Sequence, residues 1–214
     1  MSEMTGQKSW AFLAQNDLGE GGAPLALIFD CDGTLLNSLP VYERAWVAIW
    51  GELGYSMEHS WYQPRSGFSE DNLITAFEEK VGQKFDHKAI SDKMKTYYLA
   101  NIQHVVEITP VADIARNAYG KFPMAVASCA PRSLLLEGLK ITGLFDLFDT
   151  ILSVDDIGVP KPAPDIFLKA AERLGVEAEH CLVFEDSVTG FEAAKRAHMP
   201  VIDVTPLIAS NQKD

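Results

Sequence analysis

Residues 25–38 read L-A-L-I-F-D-C-D-G-T-L-L-N-S. The apolar run 25–29 is of the kind that makes a strand buried on both faces of a parallel sheet. It stops at two carboxylates, Asp30 and Asp32, which are followed by Gly33 and Thr34. In open α/β sheets the ligand crevice lies just outside the carboxyl ends of the strands, so both acids are expected at its mouth. A lone D-x-D-G also suits an ordinary strand-to-turn exit, because Asp and Gly are common turn residues. The longer pattern, an apolar strand running into D-x-D-G-T-L, is far more specific.

Further strand candidates are 124–128 (M-A-V-A-S), 150–154, 181–184 and 201–204, with helix candidates at 111–119, 131–140, 164–174 and 188–197. Strands alternating with helices of this length predict an α/β fold, a Rossmann-like parallel sheet with right-handed crossovers and helices on both faces. The rhythm breaks once. Val41, Ala45, Trp46, Ile49 and Trp50 recur at helical spacing, as do Leu73, Phe77 and Val81, then Ile90, Met94, Tyr97, Tyr98 and Ile102. With no convincing strand among them, residues 39–107 are expected to form an inserted all-helical unit, leaving 23–38 and 108–214 as the α/β core. Residues 1–22 read as an appended arm whose apolar patch is too short for a secretory signal.

At 214 residues, with 47% hydrophobic and 22% charged side chains, the chain has ordinary globular usage. No apolar run approaches the roughly 20 residues of a bilayer crossing. A net charge of -12 would repel nucleic acid and anionic lipid, so neither is expected as a partner. A small anion could bind only where local cations and N–H groups override that field. Cys31, Cys129 and Cys181 are odd in number and widely spaced, a pattern of buried, reduced thiols that points to a cytoplasmic protein. Cys31 lies between the acids but should alternate away from them. The five histidines lack metal-ligand spacing and are expected at the surface.

Asp30, Asp32, Ser128, Lys161, Glu185 and Asp186 all fall at the carboxyl ends of expected strands or just after them. Singly, Ser128 could be a cap, Lys161 a surface charge and Glu185-Asp186 a helix-start acid pair. Together they match what phosphoryl transfer through an aspartate requires. A carboxylate must approach a phosphate dianion, so the repulsion has to be cancelled first. Mg2+ held by Asp30 and Asp186, with Glu185 in reach, would do so. Lys161 and the donors around Ser128 would hold the other oxygens, and Asp32 would protonate the leaving alcohol.

The sequence resembles the haloacid dehalogenase superfamily of phosphohydrolases. The motifs are F-D-C-D-G-T-L at 29–35, V-A-S at 126–128, K-P-A-P-D-I-F at 161–167 and F-E-D-S at 184–187. The resemblance spans about 25–204, and its branch is similar to β-phosphoglucomutases and sugar-phosphate phosphatases. It implies that residues 39–107 are a mobile cap, that Asp30 is the nucleophile and Asp32 the acid/base. It also implies Ser128, Cys129 and Lys161 as phosphate-binding groups, with Asp30, Asp32, Glu185 and Asp186 as metal ligands. The second acid points to phosphate esters, since dehalogenases lack it. Mutases of this branch carry a cap His and an Arg after the G-x-S turn. Here those places hold Tyr42 and Glu70, the latter directly after Gly67-Phe68-Ser69. Arg65 could supply cap charge from the other side of that turn, and Tyr42, Arg65, Gly67 and Ser69 are the expected substrate-facing cap residues. Three readings follow: a magnesium-dependent phosphatase of a small phosphorylated metabolite, acting as a monomer; a phosphosugar mutase; and a non-catalytic phospho-acceptor or phosphosugar-binding module.

Overall fold

The computed structural model describes residues 24–211; the expected arm at 1–22 lies outside them. Strand β1 (Ala26–Phe29) is the centre of a five-stranded sheet. The chain then forms β2 (Leu36–Asn37), α1 (Leu39–Glu52), α2 (His59–Tyr62), α3 (Glu70–Val81), α4 (His87–Ala100) and β3 (Val106–Glu107). It continues through α5 (Thr109–Ala118), β4 (Met124–Ser128), α6 (Arg132–Ile141), β5 (Thr150–Ser153) and the short α7 (Val154–Ile157). Last come α8 (Asp165–Leu174), β6 (Cys181–Glu185), α9 (Val188–Arg196), β7 (Val201–Asp203) and α10 (Thr205–Asn211).

The sheet order is β5-β4-β1-β6-β7 and every pairing is parallel. Strands β1, β4 and β6 are buried along their whole length, which explains why β1 is apolar throughout and β4 and β6 are apolar up to Ser128 and Glu185. Successive side chains go to opposite faces. Leu27, Phe29, Val126, Leu182 and Phe184 pack with α5 and α6 on one side. Ala26, Ile28, Ala125, Ala127 and Val183 pack with α8 and α9 on the other. Phe29 stacks on Phe184 with ring centroids 4.6 Å apart, and a fully buried side chain of this size contributes roughly 1.5–3 kcal/mol.

Helices α1–α4 lie between two strands that the sequence reading did not anticipate. β2 and β3 pair antiparallel, Leu36 opposite Glu107 and Asn37 opposite Val106, closing the ends of the helical segment. Inside it Trp50 stacks on Phe77 at 4.1 Å and Tyr42 lies against Tyr98 at 4.8 Å. The apolar cluster on the α5–α6 side of the sheet continues into these helices. No helix among the described residues is long and apolar enough to cross a membrane.

Candidate active site

The parallel topology carries the ends of β1, β4 and β6 to one edge. Asp30 follows β1 directly, Ser128 ends β4 and Glu185 ends β6. Gly33 lets the chain turn back at once: its φ is 96°, and a Cβ there would lie 2.3 Å from Asp186 Oδ2. The glycine of D-x-D-G is therefore required twice, by the turn and by the acid from the other loop.

Lys161 reaches this edge from the loop before α8 and is only 2% exposed. Its Nζ donates to Asp30 Oδ1 at 2.6 Å and to Glu185 Oε1 at 2.7 Å. Burial alone would lower the Lys161 pKa, but Asp30 and Glu185 outweigh it and raise it. Burial pushes Asp30 well above the usual carboxylate range, Lys161 opposes this, and the Glu185 and Asp186 charges add to it. Glu185 Oε2 accepts the backbone N–H groups of Asp186 and Ser187 at 2.7 and 2.6 Å, so both its oxygens hold neighbouring groups in place.

Asp32 is arranged differently. Its Oδ1 accepts from the Ser38 hydroxyl at 2.5 Å and its Oδ2 from the Ser128 hydroxyl at 3.2 Å. Burial raises its pKa, while those two hydrogen bonds and Lys161 pull the other way. The Ser128 hydroxyl also accepts the Ala130 N–H at 3.0 Å, and Cys129 Sγ accepts the Lys161 N–H at 3.4 Å. Cys129 is buried, and burial pushes its thiol up to about 11. Cys31 points into the apolar cluster and its thiol is raised well above its ordinary value, by burial first and then by Asp32 and Asp30. Neither is an activated thiolate.

Asp30, Glu185 and Asp186 place carboxylate oxygens within 4.8 Å of one another. An all-oxygen donor set suits a hard divalent cation. Lys161 alone balances part of the charge of Asp30 and Glu185, and burial followed by Glu185 pushes Asp186 up to about 7. These residues therefore fit a cation. The Asp32 side chain is not in this group; its two oxygens accept from Ser38 and Ser128 instead.

A cavity of about 580 Å³, part of it open to solvent, lies over these groups. Every site residue expected from sequence lines it except Asp186. From the helical segment, Ser69 caps α3 by accepting the Asn72 N–H at 3.3 Å. Arg65 donates from Nη1 to the Trp61 carbonyl at 2.7 Å and stacks over the Trp61 ring at 4.5 Å. Gly67 meets the core directly, its carbonyl accepting from the Thr189 hydroxyl at 3.3 Å. Of the aromatic residues in the helical segment, Tyr62 and Phe68 line the cavity, whereas Trp61 packs edge-on against Phe77. The sequence reading gave no role to Ser38 or Thr34, and noted Glu70 only as a departure from the mutase pattern. Ser38 and Thr34 stand inside the opening 14-residue stretch, yet only the folded chain shows that they grip Asp32 and Asp186.

Residues 25–198 match the haloacid dehalogenase-like hydrolase family. The chain belongs to that family. Fructose-1-phosphate phosphatase YqaB of Escherichia coli (strain K12) is 32% identical over 178 residues, 83% of this chain and 95% of that protein. Hexitol phosphatase B of the same strain is 29% identical over 193 residues, 87% of this chain and 86% of that one. The solved structure of β-phosphoglucomutase from Clostridium difficile superposes with a TM-score of 0.76 at 20% identity, covering 84% of each chain. That likeness bears on the fold, which is a Rossmann-like α/β core with the Asp30–Asp32 pair just past the end of its central strand.

Proposed function

We propose that this haloacid dehalogenase-like hydrolase is a phosphatase of small phosphate monoesters, sugar phosphates foremost, and that the phosphoryl group passes through Asp30. The observation that carries this reading is the buried Lys161–Asp30 pair, 2.6 Å apart at the carboxyl end of the central strand. An ammonium group on one carboxylate oxygen orients the other and reduces the repulsion an incoming phosphate meets. The names of the two relatives, one acting on fructose 1-phosphate and one on hexitol phosphates, support the sugar-phosphate class.

Asp30 attacks phosphorus, the ester P–O bond breaks, and the leaving oxygen takes the proton of Asp32. Burial keeps that proton on Asp32 at a pH where an exposed aspartate would have lost it. The Ser38 and Ser128 hydroxyls fix the carboxyl in place. Asp32, now a carboxylate, takes a proton from the water that attacks the aspartyl phosphate; inorganic phosphate leaves and Asp30 is restored. Asp30 and Asp186, steadied by Glu185 and Thr34, would hold Mg2+, which when bound supplies positive charge to the phosphate oxygens. We also read residues 39–107 as a cap over a core of 23–38 and 108–214, in a cytoplasmic monomer.

Phosphate release from a panel of phosphosugars, with Mg2+ and then with a chelator, tests this function. The expected result is release that requires the metal. No release from any ester would reject it, and conversion of a hexose 1-phosphate to the 6-phosphate faster than phosphate appears would favour a mutase.

A further inference from the structure

Three buried side-chain polar atoms have no hydrogen-bond partner among the described residues: Tyr42 Oη, Trp50 Nε1 and Glu70 Oε1. Trp50 lies in the aromatic stack of the helical segment, away from the cavity. Tyr42 and Glu70 are both among the residues lining the cavity. Tyr42 comes from the first turn of α1 and Glu70 opens α3, so both belong to the helical wall facing Asp30, Asp32 and Lys161. Several other polar groups of that lining are engaged: Asp30 by Lys161, Asp32 by Ser38 and Ser128, the Ser69 hydroxyl by the Asn72 N–H, Arg65 by Trp61. The Glu70 carboxyl also hydrogen-bonds the Ser91 side chain, which leaves Oε1 as its unpaired oxygen. A buried polar atom left unpaired is costly, and such atoms call for an explanation.

We infer that Tyr42 and Glu70 form the subsite for the leaving group, and that it takes an uncharged polyhydroxylated end in preference to a second phosphate or a carboxylate. This rests on the phosphatase reading. A phenol both donates and accepts and a carboxylate accepts, which complements neighbouring hydroxyls of a sugar or polyol. A second anion set beside Glu70 would meet a carboxylate whose own charge is already disfavoured by burial. The Arg65 guanidinium, the cation of this wall, is held on Trp61. Both orphaned atoms are shielded with the helical wall in its present position, so the leaving group reaches them as that wall moves off the core and returns.

The test compares kcat/KM for a hexitol phosphate with that for p-nitrophenyl phosphate, whose leaving group bears no such hydroxyls. Tyr42→Phe and Glu70→Ala are each expected to lower the hexitol-to-nitrophenyl ratio about tenfold, chiefly through KM. Glu70→Gln, of the same shape and without charge, should raise the rate on a hexose bisphosphate relative to the monophosphate several-fold. Tyr42→Phe and Glu70→Gln are near-isosteric and carry the test if Glu70→Ala does not fold. A ratio that stays within twofold in Tyr42→Phe and the Glu70 variant, or a parent enzyme that prefers the bisphosphate, would overturn the inference. If the parent cleaves the nitrophenyl ester but not the hexitol phosphate, the inference fails while the phosphatase stands. If it cleaves neither, the phosphatase reading fails and takes the inference with it.

Discussion

The Thr34 hydroxyl donates to Asp186 Oδ1 at 2.8 Å, joining the turn after β1 to the turn after β6. That bond favours the Asp186 carboxylate, yet burial and then Glu185 push its pKa up to about 7. A carboxyl with a higher pKa folded than unfolded keeps its proton longer in the folded state. Between about pH 4, the unfolded value, and pH 7 the folded form binds more protons, so its contribution to stability falls as pH rises. Without metal, Asp186→Asn should be more stable than the parent at pH 8 by roughly 1–4 kcal/mol. The gap should close as pH falls from 7 towards 4. Denaturant unfolding at pH 8, 6 and 4 measures this, and a gap independent of pH would contradict it. At pH 8 added Mg2+ should raise the parent's Tm well above its effect on the variant.

Lys161 has the opposite burden. Removing it leaves Asp30 and Glu185 buried with no counter-charge. Lys161→Met should cost roughly 3–5 kcal/mol of stability and lower kcat by about 10²-fold or more. In the double variant Lys161→Met/Glu185→Gln, stability should recover in part, because one uncompensated charge is gone, while activity should not. Full recovery of both would mean the ammonium serves packing alone.

Gly67 is one place where the helical wall touches the core beside the site. A Cβ there would stand 2.7 Å from Ser187 Cβ and 3.2 Å from Thr189 Oγ1. Gly67→Ala should hold the wall off the core, lower kcat several-fold and cost roughly 1–3 kcal/mol of stability. Steady-state kinetics beside thermal unfolding decide it; an unchanged kcat would show that this contact plays no part in turnover.

The central strands were legible because a strand buried on both faces has to be mostly apolar, and M-A-V-A-S begins and ends where the sequence reading placed it. The short ladder of β2 and β3 was not. Two residues carry no periodicity, and the pairing of Leu36 with Glu107 joins positions far apart in the chain. Asp30 and Lys161 could be named because each sits beside a motif with few alternative uses. Asp32 was harder. The alternation D-C-D suggests a shared face, but β1 ends at Phe29 and the turn delivers Asp32 to Ser38 and Ser128. Glu70 was noted in the sequence because it stands where mutases of this branch carry an Arg. Its unpaired oxygen is a property of tertiary packing that local sequence does not encode.

The most direct measurement is a rapid acid quench of the Asp32→Asn variant mixed with p-nitrophenyl phosphate and Mg2+, followed by peptide mapping. This leaving group departs without a proton, so Asp30 should still be phosphorylated, whereas the water step lacks its base and the adduct should accumulate. The expected result is one phosphoryl group, labile to hydroxylamine, on the peptide containing Asp30 and none in Asp30→Asn. Phosphate on any other residue, or full phosphatase activity in Asp30→Asn, would contradict the account.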